Sequence, residues 1–240
     1  MQRYNMQEER ISKLIAKSGL CSRRAAEQLI LESRVKLDGQ IIKELGTKTK
    51  NYHSIWVDNK PLKLQEEARL WIYYKPVGLI TTHHDPENRK TVFSTLTKDM
   101  PRVISVGRLD LNSEGLLLLT NNGALASRLE HPSNGYLRRY RVRVFGDLNL
   151  NEFAKLKQGI TVKGIDYRPI TVEVDKIGGK NSWLVMDLYE GKTREIRNIM
   201  QHFGLKVNRL IRISYGPFQI AGLKPGEIKE IDVKLFIKGS

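Results

Sequence analysis

The sequence predicts an α+β protein in two parts. A small helix-helix-strand part comes first, and a larger part follows with a mostly antiparallel central sheet flanked by helices. Three observations predict this. Apolar residues recur at helical spacing in only a few short stretches. Runs of strand character are more numerous, and turn pairs rich in Gly, Asn and Asp join several of them, which favours antiparallel pairing. A polar stretch, Lys63 to Ala68, separates a basic first quarter from the rest. The expected domain boundaries are 8–64 and 68–237.

The first part opens with a helix expected over Glu8 to Ser18, where Ile11, Leu14 and Ile15 share a face and Gly19 supplies the stop. Ser22 is placed to N-cap a second helix, Arg23 to Ser33, with Ala26, Leu29 and Ile30 inward. Val35-Lys36-Leu37, Asp38-Gly39 and Gln40-Ile41-Ile42 read as a hairpin. Ile55-Trp56-Val57 followed by Asp58-Asn59-Lys60-Pro61 repeats the strand-then-turn pattern.

In the second part, Leu70 to Tyr74 is an apolar and aromatic strand broken by Lys75-Pro76-Val77-Gly78. Leu116 to Thr120 is a buried strand, with Asn121-Asn122-Gly123 read as a hairpin turn. Ala124 to Glu130 reads as a helix stopped by His131-Pro132. Arg139 to Phe145 alternates charged and apolar residues, as a strand with one wet, basic face does. Leu148 to Lys157 has helical spacing, Tyr167 to Val174 and Trp183 to Leu188 are strands, and Thr193 to Phe203 is a helix ended by Gly204. Ile228 to Phe236 is the last expected strand.

Composition narrows the function. The net charge is +15, and residues 1–64 alone carry 13 basic against 7 acidic side chains. Such a surplus favours polyanionic partners, because each neutralised phosphate releases counterions. No apolar run approaches the ~18 residues of a membrane span. The start, MQRYNMQEER, offers no apolar run for an export signal, so a cytoplasmic location and no membrane partner are expected. Cys21 is the single cysteine, which excludes an internal disulfide. His83-His84-Asp85 is expected as a mobile polar loop rather than a metal site, and Cys21 as a small buried residue.

The segment most suggestive of chemistry is GRLDLNSEGLLLLTNNG, Gly107 to Gly123. A turn feeds straight into an apolar strand, which displays Asp110 on a loop at the edge of a rigid sheet, two residues from Arg108. A reactive carboxylate is held this way. A carboxylate that only caps its own turn would look the same.

That segment resembles the catalytic motif of the RNA pseudouridine synthases that modify ribosomal RNA. Three further stretches fit in order: WIYYKPVGLITT (Trp71 to Thr82), RRYRVRVFG (Arg138 to Gly146), and EGKTREIRNIMQHFGLKVNRLIRISYGPF (Glu190 to Phe218). The last of these includes a Leu-x-Arg segment. GLCSRRAAEQLI and RVKLDGQII resemble the helix and hairpin of the S-four-like, or alpha-L, RNA-binding domain. In the family's helix motif His-Gln often precedes Ile-Arg, where this chain has Arg194-Glu195.

The resemblance implies isomerisation of uridine to pseudouridine after the base is flipped from its stack. The uracil's N-glycosidic bond breaks and the base is rejoined through carbon. A carboxylate is required beside the anomeric carbon, as in glycosidases. Asp110 would supply it, as nucleophile, stabiliser or base. By the same likeness Arg197 would pair with Asp110, Arg194 competing for that place. Tyr140 would stack under the uracil, Leu210 would line its pocket, and Lys75 would support the site or a phosphate. Arg108 would contact the RNA backbone, with Arg23, Arg24, Arg34, Arg139 and Arg141 as further phosphate contacts. No metal or organic cofactor is implied. The expected partner is ribosomal RNA, from the large subunit on the closer likeness of the Glu190–Phe218 stretch, and the expected state is monomeric. The same reaction on small-subunit RNA, or a non-catalytic RNA-binding assembly factor, are the alternatives.

Overall fold

Helix α1 (Ile11–Lys17) buries Ile11, Leu14 and Ile15, the residues whose spacing predicts it. The computed structural model describes residues 7–64, 67–220 and 222–234. The helix is shorter than expected because Glu9 and Arg10 are extended and pair with Thr49 and Lys48. Helix α2 (Arg23–Leu31) is capped by Ser22, whose Oγ accepts from the Ala25 N–H at 3.1 Å, a contact worth about 1 kcal/mol. It stops short of Ser33, where φ turns positive.

Strands β1 (Val35–Leu37), β2 (Gln40–Ile41), β3 (Ile55–Val57) and β4 (Lys60–Pro61) form an antiparallel sheet in the order β2-β1-β3-β4. Its hairpins turn at Asp38-Gly39 and Asp58-Asn59, all four residues having positive φ. That geometry matches the right-handed twist of the flanking strands. Val35, Ile55 and Val57 pack with Ile11, Ile15 and Ile30 into one small core.

The second part holds β5 (Leu70–Lys75), β6 (Glu114–Thr120), α3 (Gly123–Glu130), β7 (Arg138–Phe145), α4 (Leu150–Ala154), β8 (Ile170–Lys176), β9 (Asn181–Leu188), α5 (Glu195–His202), β10 (Lys206–Tyr215) and β11 (Ile228–Ile231). The main path of its sheet runs β8-β9-β7-β10-β6-β5-β11. Along it neighbours are antiparallel, except that β10 runs parallel to β6. Ile196, Ile199 and Met200 of α5 pack onto Val142, Leu184 and Met186 of the sheet. The α+β class with a mostly antiparallel sheet is therefore the observed one. The chain folds into two compact units: the described residues up to 69 with 98–104 and 121–123, and the remainder.

Several elements differ from expectation. The ten-residue strand β10, central to the sheet, is not among the expected strands. The strand expected over Tyr167 to Val174 is two pieces. Ile165–Tyr167 pairs with Ile160–Val162, and β8 starts only after Pro169, which has no N–H for a ladder. Asn121-Asn122-Gly123 is not a hairpin turn. Gly123 opens α3, while the Asn121 amide accepts from the Arg69 N–H and donates to the Glu67 carbonyl. The Leu148–Lys157 stretch is α4 followed by a 3-10 turn, Lys155–Gln158. The last strand ends at Ile231, and Leu235 and Phe236 lie outside the described residues. Among the described residues, no helix is long and apolar enough to cross a membrane.

Candidate active site

The loop carrying Asp110 is fixed from below by a buried cation. Lys75, the last residue of β5, is 0% exposed, and its Nζ donates to the carbonyls of Asp110 (3.0 Å), Ser113 (2.8 Å) and Pro76 (3.1 Å). Burial pulls the Lys75 pKa down to about 8, against the upward pull of the Asp110 charge. The Ser113 N–H closes the turn onto the Asp110 carbonyl at 3.0 Å, the Gly78 N–H takes the Leu111 carbonyl at 2.8 Å, and the Thr81 hydroxyl takes the Leu109 carbonyl at 2.9 Å. The Lys-Pro-x-Gly turn thus holds the Asp110 turn from the side. Lys75 acts on backbone carbonyls, and its burial leaves no access for the phosphate it was also expected to meet.

An open cleft of about 770 Å³ lies over this loop, lined among others by Arg108, Asp110, Tyr140, Arg194, Leu210 and Arg212. Asp110 and Tyr140 are half-buried, Arg108 and Arg194 exposed, and Leu210 is buried in the sheet. Among the described residues, the Asp110 carboxylate makes no hydrogen bond or ion pair. Six of the seven expected catalytic and substrate residues are thus drawn together, Lys75 lying beneath the loop and five lining the cleft.

Arg197 is the seventh, and it sits differently. The expected ion pair with Asp110 is not made. Its Nη2 donates to the Asn112 carbonyl at 2.7 Å and its Nη1 to the Val207 carbonyl at 3.1 Å, so the guanidinium grips the same loop through its backbone. Burial and the charge of Arg194 lower its pKa, while the Asp110 charge raises it. Arg194 is the N-cap of α5 with φ +54°, which shortens the expected Thr193 to Phe203 helix to start at Glu195. A non-glycine residue held in this region is the kind of strain that clusters at functional sites.

The basic residues expected to contact RNA divide into two groups. Arg23 and Arg24 stand exposed in the first turn of α2. Arg34 is already engaged: Nε and Nη2 clasp Asp58 at 2.8 Å each, and Nη1 meets Glu32 at 3.0 Å. Arg139 forks onto Asp187, and Arg141 pairs with Asp175 while stacking 4.4 Å from the Trp183 ring centroid. Strand alternation turns both away from the face that carries Tyr140 to the cleft. Arg138, on the cleft side, was not among the expected residues. Its guanidinium holds the Tyr136 and Tyr189 carbonyls and the Tyr215 hydroxyl.

Glu195, also missed, is a cleft-lining carboxyl only 4% exposed. One oxygen accepts from the Lys192 N–H at 2.8 Å and the other has no hydrogen-bond partner among the described residues. Burial drives its pKa up to about 7, with the Glu190 charge adding to the rise against the Lys192 N–H. Its visible signal was the place of Arg194-Glu195 in the helix motif. The segment His83-His84-Asp85, expected as a mobile loop, is tied down. Asp85 takes the backbone N–H and guanidinium of Arg89, which hold its pKa down at about 2, and His83 stacks on Phe93 with ring centroids 3.6 Å apart. Cys21 is half-buried rather than buried.

Comparison with known proteins agrees with this picture. The family described as RNA pseudouridylate synthase matches residues 69–202, and the S4 domain matches residues 9–50. An RNA pseudouridine synthase of Rickettsia felis is 52% identical over 96% of this chain and 100% of its own length. Ribosomal large subunit pseudouridine synthase B of Yersinia pestis is 38% identical, covering 94% of this chain and 73% of that protein. The crystal structure of a pseudouridylate synthase has a TM-score of 0.66 at 24% identity, covering 95% of this chain and 98% of that one, a likeness of fold. With a match across more than half of its length and relatives alignable from end to end, this chain belongs to the RNA pseudouridylate synthase family and carries an S4 domain ahead of the synthase part.

Proposed function

We propose that this enzyme converts a uridine of large-subunit ribosomal RNA to pseudouridine, acting in the cytoplasm as a monomer, with Asp110 as the essential carboxylate. The observation that carries the reading is Asp110 itself: an unpaired carboxylate facing an open cleft, on a loop fixed by Lys75 and Arg197 through its backbone. The relative from Yersinia pestis supports the substrate, since its name specifies the large ribosomal subunit.

The flipped uridine enters the cleft with its sugar at Asp110 and its base over Tyr140 and against Leu210. Flipping costs a few kcal/mol, which aromatic stacking and phosphate contacts offset. Arg108 and Arg194, exposed at the cleft, meet the backbone phosphates, and Arg23 and Arg24 hold RNA farther along. The carboxylate meets the anomeric carbon as the bond to N1 breaks. The uracil turns, C5 bonds to that carbon, and the C5 proton leaves towards Tyr140. Arg197 and Lys75 keep the Asp110 loop in place throughout.

The test compares wild type with Asp110→Asn on protein-free large-subunit RNA from cells lacking the enzyme, with pseudouridines mapped at single-nucleotide resolution. One new site with wild type, absent with a variant that still binds the RNA, is the expected result. New sites confined to small-subunit RNA overturn the substrate, and an active Asn variant overturns the role of Asp110.

A further inference from the structure

Arg212 lies on β10, paired across the strands with Tyr140, and two residues from Leu210 on the same face. It is 3% exposed and lines the cleft with Asp110. A guanidinium has five N–H donors. In this one, Nε donates to the Leu116 carbonyl at 2.7 Å, while the Nη1 and Nη2 groups make no hydrogen bond among the described residues, and Nη2 is sealed from solvent as well. Among the described residues no carboxylate pairs with it. Its Cζ lies 5.3 Å from the Tyr215 ring centroid, and its charge pushes against that of Lys75. Lys75 donates to the Asp110 and Ser113 carbonyls of the loop, and Arg197 holds it through Asn112 and reaches β10 through Val207, its buried Nε finding no partner among the described residues; Arg212 gives the loop no hydrogen bond and leaves both Nη groups unbonded.

A buried, uncompensated cation is costly, and an apolar side chain of similar length packs in such a place at least as well. The cost has a purpose if an acceptor arrives with the substrate. We infer that Arg212 is a catalytic residue: it donates to a carbonyl oxygen of the flipped uracil and holds the negative charge that gathers on the ring as the glycosidic bond breaks. This rests on the reading of Asp110 as the carboxylate at the sugar.

The electron count fits. When the C1′–N1 bond breaks, its electron pair stays on N1 and spreads through the ring to the carbonyl oxygens. The sugar left electron-poor at C1′ is met by the Asp110 carboxylate, through a C1′–O bond or by loss of a ribose proton to it. C5 then bonds to C1′ as the C1′–O bond breaks, or as the carboxyl returns the proton to the ribose; the C5 proton is released and N1 takes one up, so the product is an isomer. A donor fixed where charge develops accelerates the step because it need not reorganise.

The experiment uses the full chain as wild type, Arg212→Met, Arg212→Lys and Asp110→Asn. Each is given total RNA from cells lacking the enzyme, and transcripts made with 2-thiouridine or 4-thiouridine, whose sulfur is a poor acceptor. Pseudouridine formation and thermal unfolding are measured. Arg212→Met is expected to lose about 100-fold or more in rate while its Tm holds or rises, and Arg212→Lys to recover part of the rate. Wild type slows on one of the thio substrates, and the Met variant slows no further on it. A Met variant within about threefold of wild type, or a lower Tm with a rate loss that multiplies with the thio effect, overturns the role. An active Asp110→Asn sinks the Asp110 reading alone. If wild type modifies nothing, the proposed function falls, while a lowered Tm in Arg212→Met still overturns the inference and a raised one still supports it.

Discussion

Glu195 contributes to stability in a way that varies with pH. Burial raises its carboxyl from an ordinary 4.5 to about 7. Between those values the folded protein holds a proton that the unfolded chain has released, so stability falls as pH rises through this window. Above it the full penalty applies, roughly 3 kcal/mol. Glu195→Gln keeps an acceptor for the Lys192 N–H and cannot ionise. It should therefore unfold at higher urea than wild type at pH 8, with the advantage narrowing by pH 5; an equal gain at both would assign the effect to packing. Residues of this kind were hard to read from sequence. Asp110 and Tyr140 sit in motifs that announce them, whereas Glu195, Arg138 and Arg212 owe their surroundings to strands far away in the chain. The alternation of Arg139 to Phe145 marks a wet, basic face, but it does not show that this face lies away from the cleft or that Arg139 and Arg141 meet Asp187 and Asp175 on it.

Elements were legible where periodicity and turn chemistry agreed. Ser22 capped α2 and the Asp38-Gly39 hairpin formed as predicted, whereas the turn expected over Asp58 to Pro61 is confined to Asp58-Asn59 and Lys60-Pro61 is a strand. Strand β10 escaped because NRLIRISY mixes charged and apolar residues, and its buried arginine contradicts the usual binary pattern. Its parallel pairing with β6 depends on one glycine. Gly115 has φ +107°, and a Cβ there would stand 2.4 Å from the Arg212 carbonyl oxygen, a backbone atom with no room to retreat. Gly115→Ala is expected to cost more than about 3 kcal/mol. Gly107→Ala, at a positive φ with open space around it, should cost about 1 kcal/mol. Urea unfolding of the two variants measures the contrast, and equal losses would refute the crowding argument.

At the scale of the whole molecule, the sequence conveyed a two-part organisation and a basic character, because both are written in composition. The fine division was not legible: residues 98–104 and 121–123 group with the first unit although they lie deep in the second part of the chain. The S4-matching unit has its own core of Ile11, Ile15, Ile30, Val35 and Ile55. A chain lacking residues 1–64 should keep the cooperative unfolding of the synthase part and bind RNA more weakly. Its affinity should also fall less steeply with salt, because the phosphate contacts proposed for Arg23 and Arg24 would be gone. Filter binding of ribosomal RNA over a salt series measures the slope, and an unchanged slope would exclude the first unit from the RNA contact.

The parallel pair of β6 and β10 has a consequence for the order in which the protein assembles. Arg197 reaches Asn112 across 85 residues of chain, and Arg212 reaches Leu116 across 96. Contacts so distant in sequence close late, since loop entropy must be lost before they form. On a ribosome that is still translating it, the chain presents a finished first unit and an Asp110 loop with half of its walls missing. The wall of the cleft that β10 supplies beside Asp110 is therefore in place only once that strand has emerged.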